Sequence, residues 1–178
     1  MDFKELIVKR HSVRKYTEGG MPAKEDIVKM IEAAKEAPSW KNSQTGRYYV
    51  VLDDALAEKI RTEALLAHNG TVSRNAALIV SSYVRDMSGF QKDGTPDNEA
   101  GNLWGAYDLG LQNENLLLMA KELGYDTLVM GLRKEAVLRE LLSIPENEII
   151  LPVIAVGTSA EEAKKPGRKD TENILKFF

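Results

Sequence analysis

The chain has 178 residues, of which 43% are hydrophobic and 29% charged, and its formal net charge is -3. These values fit one soluble globular domain spanning residues 1–178, and they argue against a disordered chain or a general nucleic-acid binder, which usually presents a basic surface. The sequence contains no cysteine, which excludes thiol catalysis, cysteine-bound metals and disulfides, and its two histidines lack the spacing of a metal site. We therefore expect no bound metal and no nucleic-acid partner.

The lengths and positions of the apolar runs bear on the cellular compartment of the protein. No apolar run approaches the roughly 20 residues that cross a bilayer, so we expect no membrane partner. The first residues carry charge where an export signal would be apolar. We expect a cytoplasmic protein.

The first third of the chain predicts short helices and one strand. Residues 2–9 have apolar side chains at helical spacing, and a second helix is expected from Pro22 to about Glu36. A strand is predicted over Tyr48–Leu52, followed by a helix that Asp53 caps.

The middle of the chain predicts a buried strand and a long helix. Ala76–Val84 is nearly continuously apolar, which is typical of a strand buried on both faces. Residues 85–97 have no period, and a lid, a binding loop or a mobile linker all fit them. From about 98 to 123 we expect one helix, about 39 Å long, that lies centrally in the core or in a subunit interface.

The last third predicts two strands, one helix and a charged tail. The strands are expected over Tyr125–Met130 and Ile149–Val156, with a helix over Lys134–Leu142 between them. The tail, 160–178, ends on two phenylalanines, so we expect it to dock on something. Altogether these elements, four or five strands interleaved with five helices, predict a layered domain of the α/β or α+β class.

Basic residues cluster at two distant places, in Arg10–Lys15 and Lys164–Lys169. Guanidinium groups match phosphate oxygens, although the first cluster taken alone favours a solvated basic turn at a helix C-terminus. Polar loops at 38–44 and 68–69 offer amide donors and acceptors. No dinucleotide-binding or P-loop motif occurs. This inventory suits a ligand with a phosphate at one end and a heteroaromatic ring at the other.

Two motifs resemble signatures of the nitroreductase family of FMN-dependent oxidoreductases. The segment Arg10-His11-Ser12-Val13-Arg14-Lys15-Tyr16 resembles the pattern Arg-[Arg/His]-Ser-x-[Arg/Lys]-x-[Phe/Tyr], and Ala37-Pro38-Ser39-Trp40-Lys41-Asn42-Ser43-Gln44 resembles Ala-Pro-Ser-x-x-Asn-x-Gln. Residues 116–124 and 151–157 are similar to the long core helix and last strand of the family. The resemblance therefore covers nearly the whole chain.

The resemblance implies a homodimer with an α+β, three-layer fold, in which helices flank a mixed, mainly antiparallel central sheet of four to five strands. It also implies a long central helix at the dimer interface and FMN sites between the subunits. It implies ping-pong transfer of electrons from NAD(P)H to nitroaromatic, quinone or similar electron-poor acceptors. A non-catalytic FMN carrier or regulatory protein of the same fold is the alternative.

The phosphate side of the implied FMN site takes its residues from both basic clusters. Arg10 and Ser12 would hold the phosphate with help from Arg168 and Lys165, and His11 would flank the same end.

The ring side of the implied site takes residues from four other places. Arg14 would lie by the N1/O2 edge, Asn69 would bond the pyrimidine edge, and Gly131 would offer its backbone N–H to N5. The partner subunit would cover the ring with the residues Pro38, Ser39 and Asn42. No side chain is implied as an acid, base or nucleophile.

This sequence departs from the family pattern at three places. Met130 stands where a glutamate often precedes the glycine, and Thr45-Gly46 stand where a proline and an aromatic residue commonly follow Gln44. Residues 85–97 occupy the region where longer members elaborate a lid.

Overall fold

A four-stranded sheet forms the centre of the computed structural model, which describes residues 1–178. The strands lie in the order β1-β2-β4-β3. Their bounds are β1 Gly46–Val51, β2 Ala77–Val84, β3 Asp126–Met130 and β4 Glu148–Gly157. All three pairings between neighbouring strands are antiparallel. The parallel component of the expected mixed sheet is reduced to a single bridge between Ser12 and Thr127.

Six helices accompany the sheet. Their bounds are α1 Phe3–Lys9, α2 Lys24–Lys35, α3 Asp54–Lys59, α4 Asn69–Val72, α5 Leu103–Glu122 and α6 Glu135–Leu142. Helix α3 continues directly into a π-helical turn over Ile60–Ala64. No helix has the length and apolar character that a membrane span requires.

Local capping chemistry explains where several helices begin. The side chain of Asp2 accepts a hydrogen bond from the backbone N–H of Glu5, and Asp53 accepts one from Leu56 in the predicted way. Helix α2 starts two residues later than Pro22, because Ala23 is extended, with ψ 156°, and occupies the N-cap position.

Helices pack against both faces of the sheet, which gives the three layers that the resemblance implies. Strand β2 is buried from Ala77 to Tyr83, so its successive side chains enter different cores. Ile79 packs in a cluster with residues of α2 and α5, while Val80 packs in a larger cluster with residues of α3 and α6. The α+β fold class is thus confirmed.

Helix α5 begins at Leu103, five residues later than expected, and is therefore about 30 Å long. The side chain of Asn98 accepts from the backbone N–H of Ala100 at 3.0 Å and from Trp104 Nε1 at 2.9 Å. This local bonding competes with helix formation, and Gly101 adds a turn with φ +49°. Within α5, Gly105 packs closely against the ring of Tyr83 on β2, whereas Gly101 lies before the helix begins.

Candidate functional site

Strand β3 connects the basic N-terminal segment to Gly131. The backbone N–H of Val13 donates to the carbonyl of Thr127 at 3.0 Å, beside the bridge between Ser12 and Thr127. Gly131 directly follows the last residue of β3. Four residues separate Thr127 from Gly131, which corresponds to about 13 Å of extended strand. The two predicted ends of the site therefore lie along one edge of the sheet.

Asn69 and Gly131 are neighbours in the structure although 62 positions separate them in the sequence. Asn69 Nδ2 donates to the carbonyl of Leu132 at 3.0 Å, and the backbone N–H of Leu66 donates to the same carbonyl at 3.1 Å. The backbone N–H of Lys134 also donates to the carbonyl of Ala64. Residues 64–69 and 131–134 thus hold each other in place.

The backbone N–H of Gly131 makes no hydrogen bond within the chain. The residue is exposed, and a side-chain carbon added to it would meet no atom within 4 Å. Backbone N–H groups are rarely left without a protein or water partner, so this one is free to bind solvent or a ligand.

The basic segment presents its side chains in different directions. Arg10 ends α1, and its Nε lies 3.3 Å from Glu114 Oε1 on α5. Arg14 is exposed and has no ion-pair partner. Lys15 is 64% exposed and pairs with Glu161 at 3.0 Å. Lys15 therefore faces water.

Tyr16 anchors this segment to the core. It is 4% exposed, and its hydroxyl donates to the carbonyl of Val13 at 3.0 Å. Burial, together with the negative charge of Asp126, raises the pKa of Tyr16 well above its usual value, and Arg14 partly offsets this rise. The tyrosine therefore stays neutral and structural while its basic neighbours remain at the surface.

His11 lines a basic pocket of about 500 Å³. Its Nδ1 lies 2.7 Å from the carbonyl of Lys9, which only accepts, so Nδ1 carries a proton. Its Nε2 is buried and has no partner. The charged residues that line the pocket are Lys9, Lys121, Glu162, Lys164 and Lys165.

Lys165 and His11 line the same pocket, whereas Arg168 does not line it. Arg168 is exposed and donates to the carbonyls of Pro166 and Gly167, two residues of its own tail. The roles of Lys165 and Arg168 at a phosphate remain predictions.

The loop that contains Pro38, Ser39 and Asn42 lies at the opposite edge of the sheet from Gly131. It leads into β1, which three strand spacings, about 14 Å, separate from β3. Ser39 Oγ accepts from the backbone N–H of Gln44 at 3.1 Å, and the carbonyl of Ser39 accepts from Asn42 at 3.0 Å. Within one chain, this loop and Gly131 do not meet.

Sequence reasoning missed two acidic residues of α5 that contact these segments. Glu114 pairs with Arg10, and Asp108 accepts from the backbone N–H of Trp40 at 2.9 Å. The one available signal for Asp108 is a charged residue directly beside Leu109 in a strongly apolar helix, which indicates a buried partner.

Comparisons with known proteins agree with this architecture. The Nitroreductase family model matches residues 7–158. A relative from Archaeoglobus fulgidus, whose name includes the words NADH dehydrogenase/NAD(P)H nitroreductase, is 32% identical over 162 residues, or 89% of this chain and 86% of the relative.

Two solved structures resemble the fold. A nitroreductase family protein from Streptococcus pneumoniae has a TM-score of 0.85 at 21% identity and covers 99% of this chain and 100% of its own. An oxidoreductase described as containing FMN has a TM-score of 0.75 at 26% identity, with 90% and 79% covered.

The chain is thus an α+β protein of the nitroreductase fold. It belongs to the nitroreductase family.

Proposed function

We propose that this protein is an FMN-dependent oxidoreductase that transfers electrons, in ping-pong fashion, from NAD(P)H to nitroaromatic, quinone or similar electron-poor acceptors. Family membership supports the redox class, the name of the Archaeoglobus fulgidus relative supports NAD(P)H, and the similar solved oxidoreductase contains FMN. The observation that carries the proposal is the backbone N–H of Gly131, which has no partner within the chain and lies at an exposed position beside Asn69.

The residues at the N-terminal end of the site fit the phosphate of FMN. Arg10 and Ser12 supply a forked cation and a hydroxyl, and the lysine-rich pocket beside His11 adds positive charge. The partnerless Nε2 of His11 is a polar atom that a ligand would satisfy. Arg10 would exchange its exposed partner Glu114 for the phosphate, and Lys165 and Arg168 would close the tail over it.

The residues at the other end fit the ring of FMN. The N–H of Gly131 would donate to N5, and Asn69, held by the carbonyl of Leu132, would bond the pyrimidine edge. Arg14, which has no competing anion, would stabilise negative charge at the N1/O2 edge. When bound, FMN supplies two-electron redox chemistry between NAD(P)H and the acceptor. The chain itself contributes binding, orientation and charge rather than an acid, base or nucleophile.

We also propose that the active form is a homodimer. Pro38, Ser39 and Asn42 lie too far from Gly131 to cover a ring held by their own chain, so a second chain would supply them. Helix α1 has no buried residue, and Phe3 is 67% exposed, which leaves an apolar surface for a partner.

Further apolar side chains are exposed on α5 and on the tail. They are Leu103, Tyr107, Ile174, Phe177 and Phe178. Docking of the tail remains a prediction. Light scattering of the flavin-loaded protein should give twice the mass of the chain, and a stable flavin-loaded monomer would contradict the dimer.

The proposal is tested by titrating purified protein with FMN and then adding NAD(P)H without oxygen. The flavin should bind and then bleach. Protein that takes up no FMN would refute the proposal, and bound FMN that NAD(P)H does not bleach would favour the non-catalytic carrier.

Two variants of Gly131 test the observation that carries the proposal. Gly131→Ala keeps the N–H and adds a methyl group into open space, so FMN should still bind and bleach. Gly131→Pro removes the N–H, so bleaching should slow by about tenfold or more. Equal bleaching rates in the two variants would contradict the role of this N–H.

A further inference from the structure

The loop that would cover the flavin ring has an unusual backbone. Lys41, Asn42 and Gln44 have φ values of 48°, 55° and 49°, in the left-handed region that side chains other than glycine rarely adopt. Three such residues within four positions persist only where the surroundings hold them in place. The contacts of Trp40, the residue between Ser39 and Lys41, show what holds this loop.

Both N–H groups of Trp40 are held by acidic side chains. Its backbone N–H donates to Asp108 Oδ2 at 2.9 Å, and its indole Nε1 donates to Asp97 Oδ2 at 3.1 Å. The indole also packs against Trp104, with 4.6 Å between ring centroids. Trp40 in turn accepts, at its carbonyl, from the N–H of Ser43. Fixing Trp40 thus fixes the turn that carries Ser39 and Asn42.

Asp108 is the buried member of this arrangement. Asp108 is 2% exposed. Its Oδ2, which accepts from the backbone N–H of Trp40, also accepts a hydrogen bond from Ser88 Oγ at 2.5 Å. No cation pairs with Asp108, although burial of a carboxylate without a cation is costly. By contrast, Asp97 pairs with Lys41 at 2.8 Å nearer the surface.

We propose, resting on the function proposed above, that Asp108 is a positioning residue: it holds the flavin-covering loop through the backbone N–H of Trp40. A carboxylate suits this task because an ionised acceptor forms hydrogen bonds about twice as strong as a neutral one. Through Ser88, the same oxygen also fixes the start of the connection between β2 and α5. One atom on the rigid helix α5 therefore sets the position of two loops.

The chain offers a matched control for Asp108. Glu148 is 6% exposed, has no side-chain ion pair, and accepts hydrogen bonds from Ser82 Oγ at 2.5 Å and from Tyr49 OH at 2.9 Å. Like Asp108, Glu148 is a buried carboxyl group that accepts a hydrogen bond from a serine hydroxyl. It lies at the start of β4, however, and does not contact the flavin-covering loop. Asp108→Asn and Glu148→Gln each replace a buried carboxylate by an amide of nearly equal shape.

The first test follows amide hydrogen exchange of residues 39–45 in the full-length protein without flavin. Asp108→Asn should speed exchange of the Trp40 N–H about tenfold or more, while Glu148→Gln should leave it within twofold of wild type. Equal exchange in the two variants would overturn the role of Asp108 in positioning the loop.

The second test measures the flavin site, by FMN titration and by acceptor kinetics. Asp108→Asn should weaken FMN binding about tenfold and raise the KM for the acceptor, with a smaller change in the rate of bleaching by NAD(P)H; Glu148→Gln should bind FMN as wild type does. If wild type binds FMN and both variants bind it equally well, the inference fails while the proposed function stands. If wild type binds no FMN, the proposed function fails and the inference falls with it.

Discussion

Replacement of Arg10 by alanine should weaken FMN binding far more than replacement of Lys15. A hydrogen bond from a charged donor contributes about 1.5–3 kcal/mol, and each ~1.4 kcal/mol is a factor of ten in affinity. Arg10 must first leave Glu114, but that carboxylate is 51% exposed, so the pair contributes about 1 kcal/mol or less. Subtracting ~0.5 kcal/mol for the exposed pair leaves a net loss of about 1–2.5 kcal/mol for Arg10→Ala, or roughly 5- to 60-fold in Kd.

Lys15→Ala is the matched control, because Lys15 belongs to the same segment and carries the same charge. Its side chain is 64% exposed and pairs with Glu161, and it does not line the basic pocket beside His11. The Kd for FMN, measured by quenching of flavin fluorescence at fixed salt, should change less than about twofold. Arg10→Lys keeps the charge and loses the fork, so it should fall between the two. Equal effects of Arg10→Ala and Lys15→Ala would refute the assignment of Arg10 to the phosphate.

Three further predictions concern stability. Gly105→Ala should cost about 1–3 kcal/mol in urea unfolding because its Cβ would lie 2.4 Å from the Tyr83 ring, and a Tyr83→Leu background should reduce that cost. Leu138→Ala, at a fully buried position, should cost about 2–5 kcal/mol, whereas Val28→Ala, at a position 51% exposed, should stay within about 0.5 kcal/mol. Burial and the bond to a carboxylate raise the pKa of Tyr49 from 10.0 to about 12. Since the folded pKa is the higher one, stability should be lost as pH rises from 10 to 12, and less steeply in Tyr49→Phe.

Much of the fold could be predicted because local patterns encode it. The continuous apolar run of β2 matches a strand that is buried on both faces, and the Asp53 cap lies where its side chain predicts. The predicted start of α5, near residue 98, was wrong. The side chain of Asn98 accepts a hydrogen bond from the backbone N–H of Ala100, and this local bond overrides the helical tendency of residues 98–102. The order of the strands in the sheet depends on pairing between segments that are distant in the sequence, so no local pattern predicts it.

In the candidate site, too, the local features could be predicted from the sequence and the long-range contacts could not. The two N-terminal motifs could be recognised because each is contiguous, and the family they indicate is confirmed. The contact of Asn69 with the carbonyl of Leu132, and that of Trp40 with Asp108, join residues more than 60 positions apart. Such contacts follow from the packed fold alone, which is why Glu114 and Asp108 were missed.

The most direct test of the central claim is anaerobic stopped-flow of the FMN-loaded protein in two separate mixing steps. NAD(P)H alone should bleach the flavin absorbance, and after removal of the spent nicotinamide, a nitroaromatic or quinone should restore it. Steady-state rates should then give parallel double-reciprocal lines, as expected when donor and acceptor bind in turn. Flavin that binds but is not bleached, or that is bleached and not reoxidised by any of these acceptors, would contradict the proposed activity.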